Sequence, residues 1–301
     1  MRTTRVLMCP PDFIRIDHEI NEHMDKADPP DQKRARLEWE SVVKEYFDLG
    51  VEPWFIEPDP RYQDMCFPAN TGWCRWGKVI MGNFVGKVAQ ARQGEIHLYK
   101  EWFQKYAKAL GVEVVDWPRP DLGYGAQADT VTVGSTGKNN TLVLMGYGMK
   151  DRTSYESAEI LADIHGLAKD QVIPIRLVDP YFYDFDAAHL YILPSDSTPE
   201  TFICYPPAVD SSGKRIIASL PIDRQNIIRV GHEDALNFVC NGVFVKKIDG
   251  GVAIIMNNPS VNLQAQLRER GFDLRIKYTP ELKKNGGSIR CITRFIPYER
   301  S

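Results

Sequence analysis

Three short apolar runs set the pattern of this chain: KVIMGNF at 78–84, TLVLMGY at 141–147 and VAIIMN at 252–257. Runs of that length, bounded by polar or glycine-containing segments, predict buried strands. Each is followed by a polar linker, a helical pattern, a glycine and a further strand. A helix predicted over 32–49 puts Trp39, Val42, Val43, Tyr46 and Leu49 on one face, and a strand over 51–56 follows Gly50. The helix predicted over 95–110 aligns Ile96, Tyr99, Phe103, Tyr106 and Leu110, ends at Gly111 and feeds a strand at 112–115. A helix near 154–165 opens with Thr153 three residues before Glu156, a capping-box pattern, and closes at Gly166. The helix over 260–270 has Ser260 as N-cap and Gly271 beyond its end, with a strand at 272–278. A fifth and fainter unit lies between Phe202 and Val230.

Strand–helix–strand units of roughly sixty residues, repeated about five times, suggest an α/β ring of similar modules. Such a ring would converge strand ends on an axis, where a pocket can form. A doubly wound sheet is the architectural alternative. No G-x-G-x-x-G or Walker sequence follows any strand, so a nucleotide cofactor is not expected.

Composition changes this picture little. The chain has 301 residues, 43% hydrophobic and 26% charged, with a net charge of −3, which suggests neither disorder nor a nucleic-acid partner. Arg2 and Arg5 are not followed by an apolar run long enough for a signal peptide, and no segment approaches a membrane span. Six cysteines (Cys9, Cys66, Cys74, Cys204, Cys240 and Cys291) are too sparse for a disulfide scaffold. None forms C-x-x-C and the six histidines show no ligand spacing, so no metal or other cofactor is expected. The expectation is one cytoplasmic, reduced globular domain over residues 1–301. Its partner would be a small molecule, not nucleic acid or a membrane, and homo-oligomerisation is left open.

The candidate chemistry sits late, in Gly286-Gly287-Ser288-Ile289-Arg290-Cys291-Ile292-Thr293. Two glycines permit a tight backbone approach, and the run then reads as a strand whose entrance carries a thiol. A buried core thiol is the plain alternative.

Company for that thiol comes from MCPP at 8–11, INEHM at 20–24, DMCFPAN at 64–70, RQGE at 92–95 and AQAD at 126–129. It continues in GYGMKDRT at 146–153, VDPYFYDFD at 178–186, NFVCN at 237–241 and GGSIRC at 286–291. In this order the set resembles the pentein, or guanidino-group-modifying, superfamily, and within it the arginine dihydrolases. That resemblance implies a five-bladed α/β propeller and a cysteine nucleophile, Cys291. The thiol would attack a guanidinium carbon, expel an amine and form a covalent amidino intermediate. A cationic substrate beside the sulfur would lower its pKa and populate the thiolate. The resemblance puts Asn70 at the guanidinium, Arg92 and Arg152 on the substrate α-carboxylate, and Asn21 in the substrate site. Asp129 and Asp186, both kept, complete the implied substrate-binding set.

Two departures stand against the matches. The family's histidine, in His-Leu-Asp, is here Asp184 of Asp184-Phe185-Asp186. The carboxylate that orients it, three or four residues before Asp129, is Ala126 or Gly125. Asp184 itself, His189, His18 or His23 could take over the proton route, and burial beside Asp186 would push one carboxylate of the pair towards neutrality. The remaining cysteines read as structural. Three functions compete. The first is a hydrolase of C–N bonds in arginine or a related compound. The second is an amidinotransferase or other altered chemistry on a modified arginine. The third is a non-catalytic binder that kept the fold.

Overall fold

The computed structural model describes residues 4–134, 137–247 and 249–296, so Arg2 lies outside the described residues. The chain opens with β1 (Arg5–Met8), α1 (Gln32–Asp48) and β2 (Glu52–Phe55). Next come β3 (Gly72–Arg75), β4 (Lys78–Met81), α2 (Gly86–Leu110) and β5 (Glu113–Val115). They are followed by β6 (Thr130–Gly134), β7 (Thr141–Tyr147), α3 (Ser157–His165) and β8 (Val172–Arg176). The next unit holds β9 (His189–Ile192), β10 (Thr201–Cys204), α4 (Ser211–Ala218) and β11 (Ile227–Arg229). A short α5 (His232–Leu236) leads into β12 (Val243–Lys246), β13 (Val252–Asn257), α6 (Val261–Glu269) and β14 (Asp273–Lys277). The last elements are α7 (Pro280–Lys284) and β15 (Arg294–Ile296).

Among the described residues these strands form five three-stranded sheets built to one plan. A central strand pairs antiparallel with the strand before it, and parallel with the strand that returns after the helix. In the fifth sheet the two ends of the chain meet: β15 pairs antiparallel with β1, Arg5 opposite Ile296, while β2 pairs parallel with β1. The apolar runs seen in the sequence are the central strands β4, β7 and β13, and the faint fifth unit is β10–α4–β11. A strand covered on both faces is apolar throughout. All six residues of β13 are buried.

Three local expectations need correction. Helix α2 starts at Gly86, nine residues before the expected boundary, because Val88, Ala91, Arg92 and Glu95 continue its buried face. Within those added turns a Cβ on Gly94 would lie 2.0 Å from the Tyr62 hydroxyl, so close packing explains the glycine. Thr153 does not cap α3; its hydroxyl donates to Asp129 and accepts from the Gly125 N–H, and Glu156 takes the cap position without a side-chain bond. Ser260 caps α6 as expected, its Oγ accepting from Leu263 N at 3.3 Å. The stretch 288–293 is not a strand but a single helical turn, with Ile292 N donating to Ser288 O at 3.1 Å. No helix of the described residues is long and apolar enough to cross a membrane.

Candidate active site

Cys291 rides on that turn between α7 and β15, and Asn241 explains why the turn forms. The Asn241 carbonyl accepts from Arg290 N at 2.9 Å, and its Oδ1 accepts from Cys291 N at 3.2 Å. Those two backbone donors are therefore taken by one distant residue and are not available to a strand neighbour. The preceding glycines are required by space. A Cβ on Gly287 would come within 2.2 Å of the Phe67 ring, and one on Gly286, where φ is +85°, would meet the Tyr183 hydroxyl at 2.6 Å.

The sulfur belongs to a polar network reaching several sheets. Asn241 Nδ2 donates to Cys291 Sγ at 3.1 Å and to Asp186 Oδ1 at 3.0 Å. The other Asp186 oxygen is 3.3 Å from Arg290 Nε. Asn70 Nδ2 donates to Asp184 Oδ2 at 2.8 Å, and Arg152 Nη1 is 3.6 Å from Asp184 Oδ1. The Arg152 guanidinium lies over the Tyr183 ring at 4.3 Å. Arg92, one helical turn before Glu95 on α2, grips that carboxylate at 2.9 Å and donates to Asn70 Oδ1 at 3.1 Å. Asn21 Nδ2 donates to Asn285 O at 3.1 Å, and Asn285 Nδ2 donates to Asp64 Oδ1 at 2.8 Å.

One narrow cavity of about 10 Å³ joins Cys291, Asn21, Asn70, Arg92 and Arg152. It has room for about one water. A wider vestibule of about 330 Å³ adjoins it, and Ile20, Asn21, Arg152 and Tyr183 line both. Asp129, Asp184 and Asp186 stand behind this cavity, not on its wall, Asp184 touching it through Asn70 and Arg152. Asp129 accepts from Phe185 N at 2.9 Å and from the Thr153 hydroxyl. Ala126, one of the two positions considered for the family's carboxylate, sits at φ +56°, a region an alanine rarely adopts.

Burial dominates the electrostatics. It pushes the Cys291 thiol well above its usual range, with Asp186 and Asp184 adding to the rise and Asn241 opposing it. Burial also raises Asp186 well above the carboxylate range, against the pull of Arg290. Asp129 is pushed up to about 8 by burial and then by Asp184. Glu95 is pushed up to about 7 by burial, with Arg92 pulling the other way.

None of the three histidines considered as substitutes lines the cavity. His189 is a core residue: its Nδ1 lies 3.0 Å from Phe185 O, its ring stacks on Phe185 at 4.0 Å, and burial lowers its pKa to about 4. His23 contacts Tyr181 O at 2.8 Å through Nε2 and packs on the Tyr181 ring, and burial lowers it to about 4 as well. His18 is exposed. Cys66 is packed in the core and Cys74 borders a different cavity, so neither stands beside Cys291. Among the described residues no group of three or more His, Cys, Asp or Glu is disposed to hold a metal. The sequence reading missed Asn241, Arg290, Asp64 and Tyr183. Asn241 carried a usable signal, since a polar residue inside an apolar run must find a buried hydrogen-bond partner.

Relatives match nearly the whole chain. The dimethylarginine dimethylaminohydrolase of Mycobacterium tuberculosis is 31% identical over 292 residues, covering 97% of this chain and 85% of that protein. The bifunctional arginine dihydrolase/ornithine cyclodeaminase of Synechocystis is 30% identical over 290 residues, covering 96% of this chain. The chain spans only 37% of the length of that bifunctional protein. A crystal structure of the N-terminal domain of the latter, covalently bound to a reaction intermediate, superposes with a TM-score of 0.82 at 29% identity over 98% of each chain. No family model matches the chain. Similarity along nearly the whole chain to such relatives joins the α/β architecture and the buried thiol in one conclusion: the chain belongs to the pentein superfamily of guanidino-group-modifying enzymes.

Proposed function

We propose that this protein is a cysteine-dependent enzyme that hydrolyses C–N bonds in the guanidino group of arginine or an arginine-derived small molecule. The observation that carries the proposal is one cavity shared by Cys291, Asn70 and Arg152, with Asp186 tied to the sulfur through Asn241. The Cys291 thiolate attacks the guanidinium carbon, the C–N bond breaks, and the thiol proton leaves with the amine. Water then attacks the amidino carbon, the C–S bond breaks, and a ureido product departs. Asp184, standing where the family has its histidine, carries the proton. Asn70 meets the guanidinium. Arg152 takes the substrate α-carboxylate, in exchange for its contact with Asp184. Arg92 lines the cavity with its fork engaged by Glu95, so its part is to hold Asn70. Asn21 closes the site beside Asn285. Asp129 and Asp186 brace the site from behind the wall through their hydrogen bonds to Phe185 N and Asn241.

The five sheets support a closed five-bladed propeller forming one catalytic domain over residues 1–301, because β15 joins β1 across the two ends of the chain. Six unpaired, buried cysteines fit a reducing, cytoplasmic setting. Sedimentation tests the homo-oligomer expectation. The decisive experiment incubates the protein with arginine and N-methylated arginines, follows ammonia, citrulline, ornithine and amine release, and records the intact mass. A mass adduct on wild type, absent from Cys291→Ala, together with product release, supports hydrolysis. Equal turnover by Cys291→Ala overturns it. The Asp184–Arg152 pair in place of an imidazole favours a second reading, altered chemistry such as amidino transfer. Adding glycine or lysine as acceptor detects that reaction, and Asp184→His should then bring no gain on the natural substrate.

A further inference from the structure

Asp151, in the loop after β7, has φ +60°, a left-handed conformation that a side-chain-bearing residue keeps only where something holds it. The hold comes from the neighbouring unit. Asp151 Oδ2 accepts from Lys87 N at 3.0 Å, in the first turn of α2. That helix lacks a cap of its own: Val85 makes no side-chain bond there, and the first turn carries no acidic residue. Gly86 leaves the room, since a Cβ on it would lie 2.1 Å from Asp151 Oδ1. Asp151 is therefore the N-cap of α2, supplied from a distant loop. Next in the chain comes Arg152, whose tip is held loosely. Its Nη1 stands 3.6 Å from Asp184 without a hydrogen bond, and Nη2 reaches Ile20 O at 3.4 Å. The remaining support is the face of Tyr183 at 4.3 Å.

Contacts that long fix an arginine side chain weakly, so the backbone beneath it decides where the guanidinium stands. Downstream that backbone is tied by Thr153 to Asp129 and by Ser154 N to Gly123 O at 3.0 Å. Asp151 ties the other side. We propose that Asp151 is a positioning residue: by capping α2 it sets Arg152 between the narrow cavity and the vestibule, and so selects guanidines that carry a carboxylate. Arg152 lines both spaces, and Asp151 and Lys87 line the vestibule beside it. The selection rests on the reading of Arg152 as partner of the substrate α-carboxylate. The placement of its guanidinium does not.

Two substitutions separate the contact from the backbone. Asp151→Asn keeps an acceptor oxygen and tolerates the left-handed conformation, whereas Asp151→Gly keeps only the backbone freedom. Phenylglyoxal labelling of Arg152, read on its peptide by mass spectrometry, should be slow in wild type and in Asp151→Asn. In Asp151→Gly it should be about tenfold faster, the ratio for losing one hydrogen bond to a charged acceptor. Arg34, its side chain 75% exposed, is the internal reference and should label equally in all three. Calorimetry on the full chain carrying Cys291→Ala then compares L-arginine with agmatine, the same guanidine without the carboxylate. Adding Asp151→Gly should weaken arginine about tenfold and leave agmatine unchanged. Adding Asp151→Asn should change neither. Equal labelling of Arg152 in all three chains, or Asp151→Asn labelling as fast as Asp151→Gly, overturns the positioning role. A parallel loss of arginine and agmatine affinity overturns the selection. If arginine does not bind the Cys291→Ala chain, the proposed function and the selection fall together, and the labelling decides the placement by itself.

Discussion

Burial and the Asp186 and Asp184 carboxylates keep the Cys291 thiol protonated at neutral pH, so a cationic ligand has thiolate to gain. Because the pKa is raised, the thiolate appears only as pH climbs beyond the usual thiol range. Alkylation of Cys291 by iodoacetamide should therefore be slow at pH 7 and rise through pH 9. A small amidinium such as acetamidine should move that rise to lower pH. A fast, pH-independent reaction at pH 7 would contradict the burial argument. Asn241 is the residue whose removal separates the sulfur from Asp186. Asn241→Leu keeps the volume but takes away the donor to Sγ and the acceptor for Cys291 N. Hydrogen bonds to charged groups are worth about 1.5–3 kcal/mol, so kcat should fall about tenfold to a hundredfold. Its melting temperature should fall too. Combining Asn241→Leu with Asp186→Asn should cost less than the sum of the single changes, since both act on one network.

The turn that presents Cys291 is held by contacts from outside itself, which makes its glycines more sensitive than their positions suggest. Gly287→Ala forces a methyl into the Phe67 ring and should cost about 1–3 kcal/mol in a urea melt, the range for overpacking. Phe67→Leu in the same chain should recover part of that loss. A neutral Gly287→Ala would mean the turn shifts freely, and with it the sulfur. Helix α2 illustrates how an element can be extended past an apparent stop. Its first turns carry Arg92 and Glu95, whose buried pairing at i and i+3 holds Asn70 in place. The boundary expected at Glu95 leaves those turns out. Gly94 within them is a contact with Tyr62, which no local pattern records.

The two ends of the chain are joined by a three-residue strand, β15 beside β1. Arg294 begins that strand fully buried, its guanidinium over Phe103 at 4.1 Å and Nη1 donating to Thr71 Oγ1 at 2.8 Å. A chain ending at Thr293 would leave the β1 edge unpaired and the core open, and an exposed edge promotes aggregation. That chain should lose its cooperative thermal transition by circular dichroism and sediment as aggregate. A chain ending at Ile296 is the control that isolates the loss of β15. The central strands and the amphipathic helices were legible in the sequence because burial imposes a period that residues alone reveal. That Cys291 would share a cavity with Asn21, Asn70, Arg92 and Arg152 was legible too, through the resemblance those residues carry. The edge strands β3, β6, β9, β12 and β15 were not, as three to five residues paired on one side carry little pattern of their own. Nor could the chain show that 288–293 turns instead of extending, or that Asn241 holds the sulfur. Sequence determined which groups this protein owns and the repeat that folds them. Only the assembled sheets decided which groups meet, because those distances join residues fifty to more than a hundred positions apart, and burial at their meeting point sets the charge that each one bears.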